Sequence, residues 1–133
     1  MELIRTVQKA LELLTFLYSR LESDDSVMFL IVADSSGSSP GRAGFKMAVA
    51  ADGEMFGSVG GGVMEISLVE LARSTVQHPR TKVIEQIHRR DTENASGMIC
   101  SGRQTVVMTR LTATDVGTVN LIIEGLRQRK RIA

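Results

Sequence analysis

The chain has 133 residues, 43% of them hydrophobic, which is enough to bury a real core in one domain. Its 16 basic and 15 acidic residues nearly cancel, so the net charge gives no reason to expect nucleic acid or an anionic membrane as partner. Aromatic residues make up 4% and Trp is absent, which weakens any case for base-stacking platforms, and the lone Cys100 excludes an internal disulfide or an all-cysteine metal site within one chain. No apolar run approaches the roughly 18 residues of a membrane span. The N-terminus also lacks the order of a signal peptide, so the expected compartment is the cytoplasm.

Glu2 to Glu22 reads as a helix, with Ile4, Val7, Leu11, Leu14, Tyr18 and Leu21 recurring at steps of three and four. That stripe suits a helix lying on a sheet. It also resembles a short coiled-coil seam, which would make a homodimer. Val27 to Ala33 is nearly all apolar, as a central strand buried on both faces would be. A loop of small polar residues follows, Asp34 to Gly44. Phe45 to Ala51 and Met55 to Val59 form a predicted hairpin around the Asp52-Gly53 turn. Val63 to Val76 reads as a second helix, ended by His78-Pro79. Thr81 to His88 alternates like a strand, Arg89 to Ser96 reads as a charged exposed loop, and Gln104 to Leu111 is rich in β-formers. Asp115 is placed to cap a last helix to about Gln128. The pattern predicts an α/β fold over residues 1–133: one domain, a mixed β-sheet flanked by helices, with a helix at each end of the chain.

Three stretches carry candidate chemistry. Gly60, Gly61 and Gly62 join a strand to a helix. A run of three glycines suits unusual dihedrals, and a helix N-terminus behind such a turn can hold an anion. Glu65 falls in that helix's first turn, where capping is favoured over acid–base work. The loop before it offers Ser35, Ser36, Ser38 and Ser39 with Gly37, Gly41 and Gly44, and Arg42 and Lys46 add positive charge. Those are the parts of a phosphate cradle, though a flexible surface loop has the same composition. The spacing is neither a Walker A loop nor a dinucleotide fingerprint. Cys100 stands between Gly97 and Gly102 with Arg103 three residues on, and a nearby cation favours the thiolate, a soft metal ligand. A buried, inert thiol is the alternative. His78 and His88 fit no familiar metal spacing with Cys100 and read as surface histidines.

Taken in order, GSSPGRAGFKMAV (Gly37 to Val49), GSVGGGVMEISLVELA (Gly57 to Ala72) and GMICSGRQTVVM (Gly97 to Met108) resemble the N-terminal region of the XdhC/CoxI family. These are accessory proteins of xanthine dehydrogenase and carbon monoxide dehydrogenase. The resemblance implies a maturation protein, not a turnover enzyme, that binds the molybdenum cofactor (molybdopterin) and passes it to a molybdenum hydroxylase, with a cysteine desulfurase as a further partner. It implies that Cys100 matches the family's Cys-Gly-Gly cysteine and would ligate the metal, that Lys46 matches the basic residue after the Ser-Pro loop, and that Glu65 matches the Gly-Gly-x-x-Glu carboxylate. The cofactor-binding set expected on this footing is Ser38, Ser39, Arg42, Lys46, Gly60, Gly61, Gly62, Glu65, Cys100 and Arg103. Ser101 departs from the family's glycine. Family members commonly continue into a Rossmann-type domain, which this chain is expected to lack or to find on a separate chain. Two other readings stand beside this one: an interaction module that docks a hydroxylase or desulfurase without a ligand of its own, and a persulfide sulfur carrier using Cys100.

Overall fold

The structure, a computed structural model, describes the backbone of residues 2–39, 41–78, 81–91 and 98–132, and the side chains of these except 88–91, 98–101 and 130–132. In chain order the elements are α1 (Glu2–Glu22), β1 (Val27–Gly37), β2 (Lys46–Ala50), β3 (Met55–Gly57), α2 (Gly62–Thr75), β4 (Thr81–Asp91), β5 (Met98–Leu111) and, after a short 3-10 turn, α3 (Val116–Ile132). The strands form one sheet in the order β3-β2-β1-β5-β4. The α/β class and the two terminal helices are as the sequence predicts. All four pairings are antiparallel, however, so the sheet is not mixed. The reason is that neighbours β1–β2, β2–β3 and β4–β5 are adjacent in sequence, and antiparallel strands need no crossover element.

Each face of the sheet has its own core. Met28, Leu30 and Val32 of β1 join Met47, Val49, Val106 and Met108 beneath Leu68 and Ala72 of α2 and Val76 just past its end. Val27 and Ala48 point the other way, into a cluster with Leu13, Leu17 and Leu21 of α1 and Val119 and Ile123 of α3. Alternation along a central strand covered on both sides explains the continuous apolar run from Val27 to Val32.

Several faces and boundaries differ from the sequence reading. The stripe on α1 was expected to include Ile4 and Leu14; the buried residues are Val7, Leu11, Leu13, Leu17 and Leu21, and Ile4 is exposed. Because α1 touches both the sheet and α3, its buried face is wider than one seam, and that seam is used within the chain. Strand β1 runs on through Gly37, so the first part of the serine stretch is strand, held by Ser35 opposite Gln104 and Gly37 opposite Gly102. Strand β5 begins at Met98, six residues before the expected start, and β4 reaches Asp91, because the two pair along their whole described length. The expected loop from Arg89 to Ser96 therefore begins in strand, and its residues 92–96 lie outside the described ones. Helix α3 extends to Ile132, beyond Gln128. Its approach is set by a capping box in which the Asp115 carboxylate accepts from the Thr112 amide at 2.8 Å.

Candidate functional site

Strand β3 is only three residues long, and from Gly57 the chain must turn around the sheet edge to start α2 on the other face. The triple glycine makes that turn with φ of 127° at Gly60, 75° at Gly61 and 68° at Gly62, a succession closed to most L side chains. Three amides of the turn, those of Val59, Gly60 and Gly61, do not stand open. Oε1 of Glu65 accepts from Ser58 Oγ at 2.6 Å, from the Val59 amide at 3.0 Å and from the Gly61 amide at 3.1 Å, while Ser58 Oγ takes the Gly60 amide at 3.1 Å. The anion of this nest is thus supplied by the chain itself. Glu65 is a brace that closes the turn, the capping role its position in the first turn suggested.

The serine loop comes down beside this turn. Gly41 approaches so closely that a Cβ there would collide with the Val59 carbonyl. Its amide donates to Oε1 of Gln104 at 2.8 Å. From the other end of the same side chain, Nε2 donates to the Val59 carbonyl at 3.3 Å and to Gln86 Oε1 at 2.9 Å, and Gln86 Nε2 continues to the Met64 carbonyl at 3.0 Å. Gln104 is 1% exposed. One buried amide therefore ties together the serine loop, the glycine turn, β4 and α2, with each of its polar atoms paired, as a buried amide requires. Sequence reading missed this residue. The available signal was a polar Gln in the otherwise β-rich run before Val106.

The remaining candidates divide between the two faces. Ser39 is buried and its hydroxyl donates to the Gly41 carbonyl at 3.1 Å; Arg42 is exposed and folds back to donate to the Ser39 carbonyl at 2.8 Å. Ser38 is exposed, and its amide, with that of Ser39, lies over Gly102 of β5. Lys46 alternates with Met47, so it points to the α1 face, away from Glu65 and Gln104, where Nζ donates to the Gly44 carbonyl at 2.8 Å. Arg103 alternates with Gln104 and likewise leaves the α2 face; its guanidinium pairs with Glu85 at 2.6 Å, both side chains more than half exposed. Cys100 lies on β5 opposite Arg89, next to a register shift that makes Ser101 the extra residue. The Cys100 side chain lies outside the described residues. The structure thus brings Ser39, Gly60, Gly61 and Glu65 together around Gln104, sets Ser38 and Arg42 on the loop above, and separates Lys46 and Arg103 from them. Among the described residues no group of three His, Cys, Asp or Glu side chains is placed to hold a metal, and no helix is long and apolar enough to cross a membrane.

A family model described as the XdhC and CoxI family matches residues 20–87. "Uncharacterized protein YqeB" of Escherichia coli (strain K12) is 31% identical over 98 residues, covering 69% of this chain and 18% of that protein. A solved chain described as a xanthine dehydrogenase from Bacillus halodurans superposes with a TM-score of 0.66 at 20% identity, over 86% of this chain and 34% of that one. The chain thus spans about a fifth to a third of the length of these two relatives, and the structural likeness is one of fold.

Proposed function

The chain belongs to the XdhC and CoxI family, and from that premise we propose that it serves the maturation of a xanthine dehydrogenase-type molybdenum hydroxylase by holding the molybdenum cofactor, a molybdopterin. The supporting observation is that the serine loop packs directly on Gly102 while Gln104 clamps its Gly41, so that the loop and the stretch of β5 carrying Cys100 are neighbours at one end of the sheet. The residues present fit the cofactor unevenly. The phosphate of the pterin would be met by Ser38 and Arg42, which are exposed and have donors to spare beyond the bond to Ser39. It would not enter the glycine turn, whose amides hold Glu65. When bound, the group supplies a soft molybdenum centre, to which a Cys100 thiolate is a suitable ligand. Ser39, Gln104, Glu65 and the three glycines position the loop; Lys46 and Arg103, on the other face, take no part in this set.

In this reading the hydroxylase is the client and a cysteine desulfurase the partner that completes the bound cofactor. Val63, 82% exposed, and Ile66 stand side by side on α2 next to the glycine turn and provide an apolar surface for docking the client. The experiment is mass spectrometry of protein purified from molybdenum-replete cells. A bound pterin is expected with the natural sequence, and Cys100→Ser is expected to lose most of it with an unchanged circular dichroism spectrum. Equal pterin retention by that variant would refute the assignment of Cys100.

A further inference from the structure

We propose that the cavity between α1 and the β2–β3 hairpin is a binding site for a planar aromatic anion, distinct from the Gln104 cluster and independent of the cofactor reading. The cavity, half open to solvent, has a volume of about 450 Å³, the size of a small-molecule site. Its apolar walls are Leu13 on one side and Phe45 and Phe56 on the other. Phe56 is fixed by stacking on Phe16, with centroids 5.8 Å apart and planes 24° from parallel, so that wall is already formed. Phe45 is 41% exposed, an aromatic surface that water covers poorly and a flat ring would cover well.

Charge chooses the class of ligand. Lys9 and Lys46 both line the cavity, and Glu12 is the one carboxylate among the described residues there. Lys9 makes no ion pair among the described residues, and Lys46 uses a single N–H on the Gly44 carbonyl, leaving two. Glu12 already accepts from the Gln8 amide. Two ammonium groups beside two rings select a flat molecule bearing a sulfonate, carboxylate or phosphate over a neutral one.

The test uses 1-anilinonaphthalene-8-sulfonate, with N-phenyl-1-naphthylamine as its uncharged counterpart. Fluorescence titration of the full chain is expected to give one saturable site for the sulfonate, with the neutral compound about tenfold weaker, the scale of one charge-assisted contact. Lys9→Gln combined with Lys46→Gln is expected to bring the sulfonate down to the neutral level, and Phe45→Ala to weaken both compounds. Leu121→Ser, on an exposed part of α3, is expected to change nothing. Equal binding of the two compounds, indifference to the lysine pair, loss with Leu121→Ser, or no binding at all would each overturn the proposal.

Discussion

The two faces of the sheet handle polar groups in opposite ways. On the α2 face, Glu65 and Gln104 meet the donors and acceptors around them with bonds of 2.6 to 3.3 Å, and Gln104 is sealed from water. On the α1 face, Lys9 and Lys46 stand around open volume beside two rings. Most of the glycines and serines that draw the eye in the sequence belong to the closed side, although Gly44 lines the open one. They are there because the backbone must turn a sheet edge and pass close to its neighbours. The open side takes Gly44, Phe45 and Lys46 from the end of the serine loop, but its other wall comes from α1 residues with no local signature. A cradle-like composition therefore marks where the backbone is crowded, and the chain has filled that cradle with its own carboxylate.

The sharpest way to break this contrast is Gln104→Leu. The substitution keeps the volume but orphans the Gly41 amide, the Val59 carbonyl and Gln86 in a buried setting. Each unsatisfied buried group costs about 1–3 kcal/mol, so a loss of about 3 kcal/mol is expected from urea unfolding. Lys46→Gln on the open face should change stability by less than about 0.5 kcal/mol. Similar losses for both variants would mean that the two faces do not differ as described.

A smaller effect tests whether Glu65 is a brace. Glu65→Ala removes the acceptor for Ser58, Val59 and Gly61 and should cost about 1–2 kcal/mol, the range of a lost helix cap. Glu65→Gln retains an oxygen that can take the place of Oε1, so it should recover most of that loss. If the Gln variant were as unstable as the Ala variant, the charge and not the hydrogen-bond geometry would be holding the turn.

The fold was legible where one periodicity ruled. The apolar run of β1 announced a strand covered on both sides, and the Asp52-Gly53 turn announced a hairpin that closes with Gly53 donating to Ala50 at 3.0 Å. It was not legible where pairing overrides local composition. Ser35, Ser36 and Gly37 are poor strand formers, yet they lie in β1 because β5 runs alongside them. The sidedness of Lys46 was hidden for another reason: without the strand's start and register, the face of a residue at a strand end cannot be assigned. Gln104 was the harder omission. A single polar residue in a β-rich run looks like a solvent-facing position until a loop 63 residues distant in sequence is seen to lie on it.

The smallest expected effect is a pH dependence at the far end of the open face. Arg20 of α1 reaches Asp25, Asp52 and Glu54 at 3.1, 3.0 and 3.2 Å, tying the helix to the hairpin that forms the other wall of the cavity. The Glu54 amide, and after it the Arg20 guanidinium, hold the Asp52 carboxyl below its ordinary value of 3.8. A carboxyl whose folded value is depressed contributes stability that is fully present above the unfolded value. That contribution is lost only as pH falls from there through the lower folded value. Asp52 is more than half exposed and screened by water, so the slope it adds to stability in acid should be slight, and weaker in salt. Urea unfolding of the natural chain and Asp52→Asn should therefore differ by a constant amount from pH about 5 upward and converge as pH falls below the ordinary carboxyl value of 3.8. A difference that grew between pH 5 and 7 would assign the dependence to another group and remove the Arg20 contacts as its cause.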